Sequence, residues 1–253
     1  MKKKQGDIRY KFTVSYEGTN YGGWQKQNNS LTIQQVIESA FEKLLGNKIT
    51  IFASSRTDGG VHARQQVFHC DLPGEKIISH NDIQRKLNAM LPGDIRIIRC
   101  ARVTKHFHAR YSVKKKEYRY FIWNADFLPP EKRFYYLLVT KPLSILPMKL
   151  AAKELIGEHD FSAFSANPNR HVESYVRKII NINISKKGKC IIITIVANSF
   201  LYKMVRSIVG YLIKVGEGRL DPSTAKGILC SRIRTAKVPT APPQGLFLWK
   251  IYY

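Results

Sequence analysis

Ile8, Tyr10, Phe12, Val14 and Tyr16 alternate with polar or small residues. Only an extended chain puts every second side chain on one face, so this stretch reads as a half-buried strand over 8–16. Beyond a Gly/Asn-rich loop, Thr32 is followed three residues later by Gln35, a capping-box pattern, and Ile33, Val36, Ile37, Ala40, Phe41 and Leu44 recur at helical spacing up to Gly46-Asn47. Strand-like runs follow at Ile49–Ala53 and Gln66–Asp71, then a helical pattern from Asn81 to Leu91 closed by Pro92-Gly93, then a strand at Ile95–Val103. The order is β-α-β-β-α-β.

The second half repeats that order. A strand at Lys116–Trp123, a helix at Pro147–Leu155, strands at Val176–Ile184 and Cys190–Asn198, a helix at Phe200–Val215 and a terminal strand at Leu246–Tyr252 are expected, with Ser185-Lys-Lys-Gly188 supplying the hairpin turn. Each series matches the ferredoxin-like split motif, in which two helices cover one face of an antiparallel sheet. The expected fold class is therefore α+β, built from two ferredoxin-like halves with mixed or antiparallel sheets. The expected domains are 1–113 and 114–253, with a groove between or across the two sheets. No residue-level identity links the two series.

Charge bears on what such a groove would hold. The 253 residues carry 42 Lys+Arg against 18 Asp+Glu, a formal net charge of +24, which points to a polyanionic partner and makes the groove a basic cleft. The apolar run Ile191–Ala197 is far shorter than the ~20 residues of a spanning helix, and Met1-Lys-Lys-Lys-Gln-Gly-Asp7 has no apolar stretch behind its lysines. These features point to a cytoplasmic protein rather than a membrane or secreted one. Cys70, Cys100, Cys190 and Cys230 form no Cys-x-x-Cys pair and read as reduced thiols. The chain has no Gly-x-Ser-x-Gly elbow, no Gly-x-x-x-x-Gly-Lys-Ser/Thr loop and no His-Glu-x-x-His pair. Gly216-Glu-Gly218 lacks the third glycine of a dinucleotide loop and reads as a helix C-cap.

One segment concentrates chemistry. Ser54-Ser-Arg-Thr-Asp-Gly-Gly-Val-His-Ala-Arg64 joins two expected strands and holds Arg56, Asp58, His62 and Arg64 close together. Asp58-Gly59 is a favoured turn dipeptide, so a plain hairpin corner is one reading. The loop is longer than a tight hairpin needs, and clustered arginines keep a carboxylate ionised beside RNA phosphates. Elsewhere, Arg206 interrupts an apolar helical pattern, a place for a solvated side chain unless a carboxylate meets it. Tyr118 fits a strand tyrosine packing as its type prefers, and Tyr120, two residues along, fits the core. His62 and His69 stand in no metal-ligand spacing and read as local hydrogen-bonding groups.

The loop resembles the hallmark Arg-Thr-Asp-Ala-Gly-Val-His-Ala of the tRNA pseudouridine synthase A family. Seven further pieces agree in order: Tyr16-Glu-Gly-Thr-Asn-Tyr-x-Gly-Trp-Gln25, Gln66-Val-x-His69, Asn88-x-x-Leu-Pro-Gly-Asp94, Phe107-His-Ala-Arg110, Lys116-x-Tyr-x-Tyr120, Gly157-x-His-Asp-Phe-x-x-Phe164 and Met204-Val-Arg-x-Ile-Val-Gly210. The resemblance spans essentially the whole chain. It implies the pseudouridine synthase fold, a homodimer, transfer RNA bound by its anticodon arm, and isomerisation of uridine to pseudouridine with no metal and no cofactor.

It also implies roles. Asp58 would be the nucleophile, Arg206 its ion-pair partner, and Tyr118 the ring that stacks on the uracil and helps manage the proton at C5. A carboxylate suits the task because it is a compact nucleophile, ionised at neutral pH. Extruding the target base costs a few kcal/mol, and Arg56, Arg64, Arg110, Lys114, Lys115 and Lys116 are the expected phosphate contacts that offset it. Gly59 departs from the family pattern, standing where alanine is usual. Two other readings of the same residues are a paralogue acting on another RNA such as ribosomal RNA, and a catalytically silent RNA-binding protein.

Overall fold

The computed structural model describes residues 6–74, 79–166 and 172–253. Its elements group into two compact units, residues 1–114 with 248–253, and residues 115–247. Met1–Gln5, at the head of the lysine-rich terminus, lie outside the described residues.

In the first unit the alternation beginning at Ile8 becomes β1 (Ile8–Tyr16), with Tyr10, Phe12, Val14 and Tyr16 buried. α1 (Ile33–Leu45) starts at Thr32, whose side chain accepts from the Gln35 N–H, and stops at Gly46 in the left-handed region. β2 (Phe52–Ala53) is shorter than the apolar run 49–53 suggests. Ile49 and Ile51 are buried without pairing, so burial rather than ladder bonding explains their apolarity. β3 (His62–Leu72) starts four residues earlier than the expected strand and pairs antiparallel with β1, placing Phe12 opposite Phe68. α2 (His80–Met90) is capped by Ser79, and β4 (Ile95–Arg102) pairs antiparallel with β1.

The rings of Phe12 and Phe68 stack at 4.9 Å, and Phe41 of α1 meets Phe12 edge-on at 5.5 Å, so α1 covers the face these strands present. Ile83 of α2 shares one crevice with Tyr10, Leu45 and Leu72, which puts α2 on the same face. Each large apolar side chain buried this fully contributes ~1.5–3 kcal/mol.

The second unit repeats the plan with insertions. β5 (Lys115–Asn124), β8 (Val176–Lys187) and β9 (Cys190–Ala197) form its antiparallel centre. Gly188, in the left-handed region, and Lys189 make the turn between β8 and β9, two residues beyond the middle of the expected one. β6 (Leu137–Val139) adds a parallel pair to β5, and β7 (Gly157–Asp160) pairs with β8, two strands that alternation alone does not mark. α3 (Ile145–Glu154), α4 (Met204–Gly216) and α5 (Thr224–Ser231) complete the unit, α3 packing on both α4 and α5. Gly218, in the left-handed region just past α4, ends that helix as the C-cap reading requires.

β10 (Leu246–Tyr252) is the last strand of the chain. Counting β10 as its fourth strand, the second unit places its first strand between the fourth and the third, as the first unit does with β4, β1 and β3. Among the described residues, ten strands and five α-helices make a mixed α+β protein, as the alternation and helical spacing require. No described helix is long and apolar enough to cross a membrane. The four cysteines are free.

Candidate active site

Asp58 lies in the connection from β2 to β3, and this connection is held from several sides. Ser54, almost wholly buried, donates to the Gln66 side chain at 2.7 Å, and the Gln66 amide donates to the Ser55 carbonyl at 2.7 Å. Tyr16 Oη and Thr57 Oγ1 share a buried hydrogen bond of 2.8 Å, while the Thr57 carbonyl accepts from the Trp24 N–H at 3.0 Å. The Gly60 N–H donates to the Tyr21 carbonyl at 3.3 Å, and the Val61 N–H donates back to the Asp58 carbonyl at 3.2 Å. Residues 58–61 therefore form a turn whose third residue, Gly60, has φ +76°, a conformation glycine supplies at no steric cost. Asp58 is half-buried at the head of this turn. The turn reading of Asp58-Gly59 and the chemical reading are compatible, because the turn fixes the backbone that carries the carboxylate.

The loop around residues 17–25 closes on this turn. Gly23 forms an isolated bridge with Asp58 and has φ +103°, and a Cβ there would lie 2.5 Å from the Thr57 carbonyl oxygen. A Cβ at Gly18 would overlap the Val61 carbonyl. Close backbone approach thus accounts for Gly18 and Gly23, two of the three glycines in the segment Tyr16–Gln25. His62, fully buried, accepts the Gly18 N–H at Nδ1 over 2.9 Å. Glu17 Oε1 lies 3.6 Å from the same Nδ1. His69 is buried too and accepts the Ala109 N–H at 3.1 Å, so both histidines are structural hydrogen-bond acceptors, with partners 44 and 40 residues away in sequence rather than the local ones expected.

Gly59 is open to substitution. A Cβ at this position would find its nearest atoms at 3.4, 3.5 and 3.6 Å, ordinary contact distances. The methyl group usual in the family hallmark fits here without displacement.

The remaining sequence-derived residues sit as follows. Arg56 and Arg64 are exposed, and the Arg64 guanidinium lies 4.9 Å from the Trp249 ring centroid. Arg110 is exposed beside Tyr111, at 5.8 Å from its ring. Lys114 is exposed and its backbone N–H donates to the Tyr252 carbonyl at 2.8 Å. All of these belong to the first unit with Asp58.

Lys115 and Lys116, half-buried, open β5 in the second unit. Tyr118, opposite Ile195 in β9, is buried and meets Phe200 edge-on at 5.0 Å. Tyr120 is core as expected, fully buried with its hydroxyl donating to the Pro242 carbonyl at 2.7 Å, and burial raises its pKa.

Arg206 is half-buried in the first turn of α4. Its Nε donates to the Ala241 carbonyl at 2.7 Å, and the Ala241 N–H donates to the Arg206 carbonyl at 3.0 Å. Arg234 pins the same segment, donating to Ser207 Oγ at 2.9 Å and to Thr240 Oγ1 at 2.8 Å. Gly210 lets the chain lie close, since a Cβ there would overlap the Pro239 carbonyl. One side of α4 therefore carries a strap of residues 234–242 that orients Arg206. Neither Arg234 nor the strap is legible in sequence, because partners 27 and 35 residues apart meet only in the fold.

A family model described as tRNA pseudouridine synthase matches residues 13–112 and 151–253, which takes in the Asp58 loop and α4. The chain belongs to the tRNA pseudouridine synthase A family. It is 44% identical over 244 residues to tRNA pseudouridine synthase A of Thermoanaerobacter sp. (strain X514), covering 95% of this chain and 97% of that protein. The Ruminiclostridium cellulolyticum tRNA pseudouridine synthase A is 42% identical over 250 residues, with 97% and 99% covered. The Bacillus cereus (strain ATCC 14579) protein named tRNA pseudouridine synthase A 2 is 41% identical over 247 residues, with 96% and 99% covered. As a member of this family the chain is an RNA isomerase. Among the described residues, no three His, Cys, Asp or Glu side chains gather as a metal site would require.

Proposed function

We propose that this chain isomerises uridine to pseudouridine in the anticodon stem-loop of transfer RNA, acting in the cytoplasm as a homodimer, with Asp58 as the nucleophile. The observation that carries the reading is the placement of Asp58. A carboxylate heads a glycine turn whose backbone is fixed by hydrogen bonds from Trp24, to Tyr21 and between Tyr16 and Thr57, while the side chain stays half-exposed. Such preorganisation suits a group that must meet one atom of a large substrate, because a misplacement of ~1 Å is enough to lose much of the rate.

In the proposed reaction the Asp58 carboxylate attacks the target nucleotide and the bond from C1′ to N1 breaks. The uracil turns in place, a bond forms from C1′ to C5, the bond between Asp58 and the nucleotide breaks and returns the free carboxylate, the C5 proton leaves and N1 takes up a proton. No redox change occurs, so neither a cofactor nor a metal is called for. Arg206, whose Nε is already committed to the Ala241 carbonyl, is the proposed charge partner of Asp58. Tyr118 is the proposed stacking ring, and Phe200 behind it restricts its motion. Arg56, Arg64, Arg110, Lys114, Lys115 and Lys116 are proposed to meet phosphates, and the net charge of +24 supports a polyanionic substrate.

The test is tritium release from an unmodified tRNA transcript labelled at C5 of uridine, with chelator present, followed by chemical mapping of the product. Wild type should release tritium from the 3′ side of the anticodon stem and loop. Asp58→Asn should release none while binding the transcript nearly as tightly as wild type, since phosphate contacts carry affinity. Turnover by Asp58→Asn near the wild-type rate refutes the assignment, and no release from a panel of tRNA transcripts that wild type binds tightly moves the substrate to another RNA.

A further inference from the structure

Four rings in the first unit form a continuous run that the proposed chemistry does not use. Phe52 stacks on His69 at 5.2 Å, His69 meets His108 at 4.6 Å, and His108 lies 4.3 Å from Tyr111 at an interplanar angle of 30°. The inner members are held. His69 is 2% exposed, whereas Phe52 is 49% and Tyr111 77% exposed.

The backbone beneath Tyr111 is unusually constrained for a surface aromatic. The Arg9 guanidinium donates to the Lys105 and Phe107 carbonyls at 2.7 and 2.9 Å. The His108 N–H donates to Ser112 Oγ at 3.0 Å, and Tyr253 Oη donates to the Ala109 carbonyl at 2.9 Å. His108 Nδ1 accepts the N–H groups of Arg110 and Tyr111 at 3.1 and 3.3 Å. With Nδ1 so engaged, and with burial and the Arg9 and Arg110 charges lowering its pKa, His108 is a neutral ring behind the tyrosine. Burial does not explain Tyr111, because three quarters of its surface faces solvent. A rigid, exposed π-face beside a guanidinium is what an unstacked nucleobase on a polyanionic backbone requires.

We propose that Tyr111, backed by His108 and flanked by Arg110, is a platform on which an unpaired base of the bound RNA stacks, a base other than the uridine that is isomerised. Arg110 takes the adjoining phosphate or the edge of the base. The proposal rests on the reading of RNA as substrate and adds a second point of recognition to it.

The experiment measures binding of an unmodified tRNA transcript to the purified full chain, by filter retention across a salt series, with tritium release followed on the same transcript. Tyr111→Ala should weaken binding by roughly 5- to 150-fold, the range set by loss of one stacked base. Tyr111→Phe, which keeps the π-face, should bind within about twofold of wild type, and Tyr111→Leu should bind as poorly as Tyr111→Ala. The slope of log affinity against log salt should be unchanged in the Tyr111 variants and shallower by about one in Arg110→Ala. Thermal midpoints of the Tyr111 variants should match wild type, because the ring is exposed.

Binding by Tyr111→Ala within twofold of wild type overturns the platform, and so does full binding by Tyr111→Leu. A wild type that binds the transcript but releases no tritium refutes the catalytic reading alone, since the affinity comparison still decides the platform. A wild type that does not bind the transcript refutes both.

Discussion

Protonation of His69 should destabilise this protein's first unit progressively as the pH falls below about 6.5. The ring is 2% exposed, accepts the Ala109 N–H, and lies against His108. Burial, then the His108 and Arg9 charges, lower its pKa from 6.5 to about 4. In the unfolded chain the same imidazole takes up a proton near pH 6.5, so between pH 6.5 and about 4 the unfolded state holds one more proton than the folded state. The contribution is therefore fully present above pH 6.5 and is lost as pH falls through that window, at ~1.4 kcal/mol per pH unit. Lowering the pH from 7.5 to 5 should remove about 2 kcal/mol, and the full window about 3 kcal/mol.

Urea unfolding of wild type and His69→Asn at pH 7.5 and pH 5 isolates this group. The variant loses ring packing equally at both values, and the titration of His108 and the carboxylates largely cancels in the difference. The stability advantage of wild type over His69→Asn should thus shrink by about 2 kcal/mol on acidification. An advantage that stays constant across the range refutes the reasoning, for it would mean that the folded protein takes up this proton as readily as the unfolded chain.

Two neighbouring glycines should respond in opposite ways. Gly59→Ala, with room for its methyl group, should leave turnover intact and raise stability by ~0.4–1 kcal/mol through the unfolded chain. Gly23→Ala, at φ +103° and facing the Thr57 carbonyl, should lower the urea midpoint and cut tritium release by displacing the Asp58 turn. Arg234→Met removes the donor to the buried Ser207 hydroxyl and should cost ~1–3 kcal/mol in urea unfolding, with turnover falling further as the strap that orients Arg206 loosens. Unchanged turnover in Arg234→Met would separate the strap from the site.

Local signals carried much of this protein. The alternation at Ile8–Tyr16 matches the bounds of β1, the expected terminal strand at Leu246–Tyr252 matches β10, and Thr32 with Gln35 marked the start of α1, because side-chain period and capping are set by residues within one or two turns. The hallmark loop and the motifs around it named the family for the same reason, since each is a short string whose chemistry is contained in itself.

What neighbours in sequence do not touch had to wait for the fold. The polar stretch Gly157–Asp160 has no strand pattern of its own and becomes β7 by pairing with β8, while the eight residues of α5 are too few to hold a helix without Ala225, Ile228 and Leu229 packed inward. The strap on α4 and the run of rings from Phe52 to Tyr111 join residues as far as 56 positions apart. Sequence determined which segments could be strands and helices and which loop bears the carboxylate. Tertiary structure decided which glycine admits a methyl group, which arginine is held by a carbonyl and which tyrosine is left facing water, because each depends on atoms brought close only by packing.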